Sequence, residues 1–199
     1  MTLGALQRVF GPGGWLARRA AADSDVFVFF AGHGVSTADR FDPYLLPADG
    51  DPDYLGQTAL PLARIVDWLA ALDVRSTSLF VDACFSGRTR GGDTLFAGSR
   101  PLVVVPVEPQ HPSGVSLYSA ARGGQVAGTL DAQGHGLFSY CLFRGLAGAA
   151  DADGDRRITA RELALWLERE VPAAAAAGDR EQQPSIVLDD GSRILVELP

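Results

Sequence analysis

The stretch VFVFFAGHG, Val26–Gly34, sets a histidine between two glycines directly behind a continuous apolar run. Such a run, bounded by glycine, reads as a strand buried on both faces. Histidine changes protonation near neutral pH, and glycine lets a backbone come unusually close to another group. Taken alone, the stretch is as well explained by a turn with an incidental histidine. A reactive partner elsewhere in the chain has to decide.

SLFVDACFSG, residues 78–87, is a second apolar run that ends in a glycine turn, and it carries Cys84. In an open parallel sheet, ligands and catalytic groups collect beyond the carboxyl ends of the strands. If these two strands are neighbours, His33 and Cys84 face each other at that edge. A thiol with a pKa of about 8.5 is a poor nucleophile at neutral pH until a base or cation favours the thiolate. An imidazole across the edge does this, and can later protonate a leaving amine. The backbone N–H of Gly34, with that of Cys84, is a candidate oxyanion hole.

The surrounding pattern predicts where those strands sit. Residues 1–24 read as a helix ending near Ala22, interrupted by GPGG. Residues 35–60 read as a long loop rich in Asp, Pro and Gly. Pro61–Leu72 has apolar residues at helical spacing, with the proline tolerated in the first turn. Residues 86–114 read as a second long loop in which PLVVVPVE forms a short edge strand, and Val115–Ala120 as a third core strand. Helices follow over Gly136–Ala147 and Thr159–Val171. Beyond an alanine run and a polar stretch, SIVLDDGSRILVELP reads as two short strands around an Asp-Gly turn. Strands alternating with helices give an α/β fold with a mostly parallel sheet flanked by helices, in one domain over residues 1–199.

The 199-residue chain is long enough to bury a real core, and its net charge of −7 argues against nucleic acid or an anionic membrane as partner. Every basic residue is arginine, which reads as a compositional bias. Two cysteines are too few for a disulfide scaffold at this length, so free thiols and a cytoplasmic location are expected. Neither a signal peptide nor a membrane-spanning run is visible. Cys141 falls in the apolar pattern of a helix and reads as core. His111 and His135 read as surface or capping residues.

Cys84 follows His33 by 51 positions, and caspases carry their histidine about 50 residues before the nucleophile. With VFVFFAGHG, YLLPADGD, SLFVDACFSG, VSLYSAARGGQVA and GHGLFSYCLFRGLAG, the sequence resembles caspase-like cysteine peptidases, most closely metacaspases. The resemblance covers most of residues 25–150. It implies a caspase-like fold, hydrolysis of a protein or peptide substrate by a His33–Cys84 dyad, and no cofactor needed for the chemistry. Two departures stand out. Residues 1–24 are too short for the strand and helix that usually precede the histidine strand, which leaves two expectations: a chain truncated at its start, or a sheet built without that first strand. Phe85 replaces the polar residue commonest after the nucleophile in metacaspases.

Asp82 is two residues before Cys84, so on a strand the two side chains share a face. It is either a carboxylate bonding turn amides or a charged pocket floor. In metacaspases the matching aspartate helps select arginine or lysine before the scissile bond, so the resemblance favours basic substrates. A second pocket acid could come from Asp42, Asp49 or Asp51. The loop after Cys84 contains Arg88, Arg90 and Arg100. A basic-preferring enzyme would process itself there, after Arg90 or Arg100.

DADGDRRITARE, residues 151–162, resembles an EF-hand loop, giving a C-terminal helix–loop–helix. Asp151, Asp153 and Asp155 take positions one, three and five, Arg157 offers a carbonyl at seven, and Glu162 stands at twelve. Against calcium, Arg156 occupies position six, where the sharp turn normally takes glycine. The alternative is an acidic interhelical loop in which Thr159 or Asp155 caps the second helix. Two rival functions remain: an idle caspase-like interaction module, and a calcium-responsive regulatory protein.

Overall fold

The computed structural model describes residues 1–36, 42–83, 85, 114–122, 127–130 and 135–199. The chain opens with α1 (Leu3–Phe10), where Thr2 accepts the Ala5 N–H as N-cap. The helix stops at Gly11 rather than near Ala22, because GPGG takes over. Gly11 N–H caps back onto Gln7, Pro12 offers no donor, and Gly13 turns left-handed at φ 64°. A series of turns then leads to β1 (Asp25–Ala31), β2 (His33–Ser36) and β3 (Pro43–Leu46). A short 3-10 turn, α2 (Leu55–Thr58) and β4 (Leu60–Pro61) precede α3 (Leu62–Ala70) and β5 (Ser76–Asp82).

Further on come β6 (Ser116–Ser119), β7 (Thr129–Leu130), β8 (His135–Gly136) and α4 (Leu137–Arg144). A π-type turn then leads into the acidic loop. The chain ends with β9 (Arg157–Thr159), α5 (Ala160–Ala176), β10 (Ser185–Val187) and β11 (Ile194–Glu197).

Among the described residues the main sheet has the order β1-β5-β6-β10, with β1, β5 and β6 parallel and β10 antiparallel to β6. Alternation along β5 divides the core. Leu79 and Val81 point to one face and pack with Val26, Val28, Leu117 and the apolar sides of α1 and α3. Phe80 points to the other, stacking on Tyr118 at 4.7 Å beneath Phe138, Leu142, Leu163 and Leu167 of α4 and α5. Helices therefore cover both faces, and β5 is buried almost throughout.

Several sequence expectations change. β1 is buried on one face only: Val26 and Val28 are inside, but Phe27 and Phe29 are 49% and 46% exposed. α4 packs over Phe80 of β5 and Tyr118 of β6, and its half-exposed Phe143 ring lies 5.5 Å from Phe29 of β1. Residues 35–60 are more than a loop: β2, β3 and β4 form a small antiparallel sheet packed over Val35, Leu55 and Ala59.

α5 runs five residues past Val171, through Pro172, because alanine has the strongest helix propensity and Ala175 is buried. The last two strands do not pair with each other. β10 joins the main sheet and β11 pairs with β9, because Asp190 turns the chain onto Ser192 and separates the two. The expected edge strand PLVVVPVE lies outside the described residues. No described helix is long and apolar enough to cross a membrane.

Candidate active site

The parallel register aligns the ends of the two motif-bearing strands. Ala31 is opposite Asp82, and the ladder continues one step further, with Gly32 N–H donating to the Asp82 carbonyl at 3.2 Å. A Cβ on Gly32 would sit 3.0 Å from the Phe30 ring, so the bare backbone lets that ring fold over the strand end. His33 follows as the first residue of β2, opposite Leu46, with an exposed side chain. Gly34 is buried behind it, and Val35 anchors the small sheet.

On the β5 side, Asp82 is the last strand residue. Ala83 is fully buried, and Phe85 packs into the α1/α3 core with Leu79 and Val81. The apolar residue at position 85 is thus used to anchor the chain just beyond β5 in the core. Cys84 itself lies outside the described residues, as do Arg88, Arg90, Arg100 and His111. The structure brings the His33 segment and the end of β5 together at one edge.

Asp82 is 1% exposed, and its Oδ2 accepts a hydrogen bond from the hydroxyl of Ser139. Ser139 sits in the first turn of α4, where the helix dipole also favours a carboxylate. Asp49 and Asp51 are engaged elsewhere. Asp49 accepts the Leu3 N–H at 2.8 Å, and Asp51 caps the 3-10 turn through the Asp53 N–H at 2.9 Å. Both carboxylates are exposed and serve backbone turns.

Two residues that shape this edge carry no sequence signal of their own. Ser139 lies among apolar helix residues. Gln182, in a polar stretch, is 2% exposed; its amide donates to the Ala120 carbonyl at 2.8 Å and accepts the Gly128 N–H at 2.7 Å. Gly128 in turn accepts the Leu137 N–H at 2.9 Å, fixing the start of α4. Cys141 is core: burial above all pushes its thiol up to about 11, and Glu170 adds to this, so it stays a neutral apolar side chain. His135 lies in β8, paired with Leu130.

The acidic loop forms a second cluster. Carboxylate oxygens of Asp151, Asp153 and Asp155, one from each, all lie within 4.8 Å of one another. Arg156 at position six adopts the left-handed conformation, φ 68°, and its N–H donates to Asp151 Oδ2 at 3.1 Å. Position six is therefore left-handed without glycine, while Gly154, two places earlier, is left-handed as well at φ 76°. Ile158 plugs the core at 0% exposure. Glu162 meanwhile completes a capping box with Thr159 and accepts the Ala152 N–H at 3.1 Å. Burial opposes its ionisation, but the hydrogen bonds from Thr159 and the loop amides outweigh this and hold the carboxyl below its ordinary value.

Among curated proteins the sequence finds no match. Among solved structures, the fold is similar to a Geobacter sulfurreducens protein solved as a structural-genomics target, with a TM-score of 0.57 at 15% identity. That alignment covers 94% of this chain and 72% of the other. It is also similar to caspase-1 from Spodoptera frugiperda, with a TM-score of 0.54 at 17% identity, over 92% of this chain and 66% of that one. These likenesses show the fold. The sequence itself matches the caspase domain family over residues 13–190. With that match spanning most of its length, the chain belongs to the caspase family of cysteine peptidases.

Proposed function

We propose that the chain is a metacaspase-like endopeptidase that cleaves proteins after arginine or lysine, with Cys84 as nucleophile and His33 as base and acid. The observation that carries this reading is the in-register pairing of Ala31 with Asp82, two residues before His33 and Cys84 respectively. It supports a dyad drawn from two adjacent strand ends.

In this mechanism His33 takes the thiol proton and the Cys84 sulfur attacks the scissile carbonyl carbon. The carbonyl oxygen becomes an oxyanion facing the N–H groups of Gly34 and Cys84. Collapse breaks the C–N bond as the imidazolium protonates the leaving amine. A water, deprotonated by His33, then hydrolyses the thioester and restores the thiol. Asp82 accepts the substrate guanidinium or ammonium by charge-assisted hydrogen bonds. The same specificity turns on the chain's own Arg90 and Arg100, so the enzyme processes itself there.

Substitution tests the dyad. Cys84→Ala should abolish turnover of arginyl reporters, and His33→Ala should lower it by roughly 10²–10⁴-fold, because it removes both base and acid. Self-cleavage should disappear in Cys84→Ala. Undiminished turnover in either variant overturns the assignment. A folded chain that cuts nothing would favour the interaction-module reading.

The loop supports a subsidiary reading as a divalent-cation site held by Asp151, Asp153, Asp155, the Arg157 carbonyl and Glu162. Arg156 carries the turn such a loop needs. Calcium at millimolar concentration should then raise the melting temperature by mass action, and Asp151→Ala should remove the effect. Absence of both calorimetric heat and a melting shift leaves Glu162 as a helix cap alone.

A further inference from the structure

Asp82 is almost fully buried, so its value to a substrate depends on how its carboxylate is aimed, and Ser139 is one group that holds it. Ser139 donates its hydroxyl to Oδ2 across a separation of 57 residues in sequence, and both side chains are buried. The start of α4, two residues before Ser139, is itself held by a chain of hydrogen bonds that runs through the Gln182 side chain. The Leu137 N–H that opens α4 donates to the Gly128 carbonyl, and the Gly128 N–H donates to Gln182. The Gln182 amide then donates to the carbonyl of Ala120, just beyond the end of β6. A Cβ on Gly128 would lie 3.0 Å from the Arg180 guanidinium and 3.4 Å from Gln182 Oε1, so the turn sits tightly against this bridge.

We propose that Ser139 is the positioning residue for Asp82, fixing the carboxylate for a substrate's basic side chain and so setting arginine preference at this site. The proposal rests on the reading of Asp82 as the pocket acid. A buried carboxylate with one oxygen tied to a hydroxyl has a fixed plane, which suits the planar, two-pronged geometry of guanidinium better than a free rotor does.

The test compares Ser139→Ala, Ser139→Thr and Asp82→Asn in the full chain, using arginyl and lysyl peptide reporters and the alkylation rate of Cys84 by iodoacetamide. Loss of one hydrogen bond to a charged acceptor should lower kcat/KM on the arginyl reporter by about tenfold. That loss should appear mainly in KM, fall less on lysyl than on arginyl reporters, and leave alkylation unchanged. Ser139→Thr should restore activity, and Ser139→Ala should cost nothing further in an Asp82→Asn background. Should Ser139→Ala fail to fold, Ser139→Cys, close in shape with a weaker donor, carries the same comparison.

If Asp82→Asn abolishes arginine preference while a folded Ser139→Ala keeps it, the positioning role is overturned and the pocket acid stands. If Asp82→Asn leaves arginine preference intact, the pocket reading falls and takes Ser139 with it. A loss in kcat alone that persists undiminished beside Asp82→Asn would make Ser139 a packing residue and also overturn the proposal.

Discussion

Gly145→Ala is a demanding test of how α4 is seated against α5. Gly145 is buried at the end of α4 with ordinary helical angles, φ −57° and ψ −53°. On backbone grounds alone, alanine should stabilise by about 1 kcal/mol, since glycine is a poor helix former. The added Cβ, however, would lie 2.7 Å from Trp166 Cδ1 and 2.9 Å from Leu163 Cδ1. Whether the indole can retreat decides the sign. It cannot do so freely, because its Nε1 donates to the Cys141 carbonyl at 2.9 Å and the side chain is 9% exposed. Overpacking a tight core costs about 1–3 kcal/mol, and breaking the indole hydrogen bond about 1 kcal/mol more. After the propensity gain is subtracted, the net expectation is a destabilisation of about 1–3 kcal/mol.

Urea unfolding should show this as a lower midpoint at unchanged slope. The melting temperature should fall by about 2–4 °C for each kcal/mol. In a Trp166→Phe background the hydrogen bond that holds the ring in place is gone and the smaller ring can retreat, so the cost should shrink and the two substitutions should be non-additive. A Gly145→Ala variant more stable than wild type would show that the indole yields, refuting the argument that its hydrogen bond pins α4 to α5.

Two further outcomes concern the acidic loop. Arg156 stands at φ 68°, where a side chain costs about 1–2 kcal/mol, while glycine loses about 0.5–1 kcal/mol more backbone entropy. Arg156→Gly should therefore stabilise by about 0.5–1 kcal/mol, seen as a raised urea midpoint; a lowered midpoint would show that the arginine side chain itself holds the loop. Glu162 ionises more readily when folded than its ordinary value of 4.5 implies. Its contribution is complete above that value and lost as pH falls through the lower folded one. Glu162→Gln should flatten the acid side of a stability–pH curve, and an unchanged curve would remove the capping box from the account.

Sequence reasoning read β5 and α3 well because each is a long apolar segment with one clear period. It misjudged β1, because VFVFFA carries phenylalanine on its half-exposed face and so looks uniformly buried. The small sheet around His33 was hidden because its strands are four residues or fewer, too short for alternation to register. Arg156 argued against a sharp turn, yet the carboxylate of Asp151 accepts its N–H and helps hold the left-handed residue there. Of the candidate site, the motifs marked His33 and Asp82. Ser139 and Gln182 escaped because their roles depend on partners 57 and 62 residues away, a distance that no local pattern encodes.

The most direct measurement is covalent labelling of the chain by an arginyl peptide carrying a thiol-reactive acyloxymethyl ketone, read by intact and peptide mass spectrometry. The account predicts one adduct per chain, on Cys84, with Cys141 untouched in the core. It also predicts a rate that collapses in His33→Ala and a strong preference over the matching aspartyl reagent. Labelling of Cys84 that ignores the peptide and survives His33→Ala unchanged, or that favours the aspartyl reagent, would contradict a His33–Cys84 peptidase directed at basic residues.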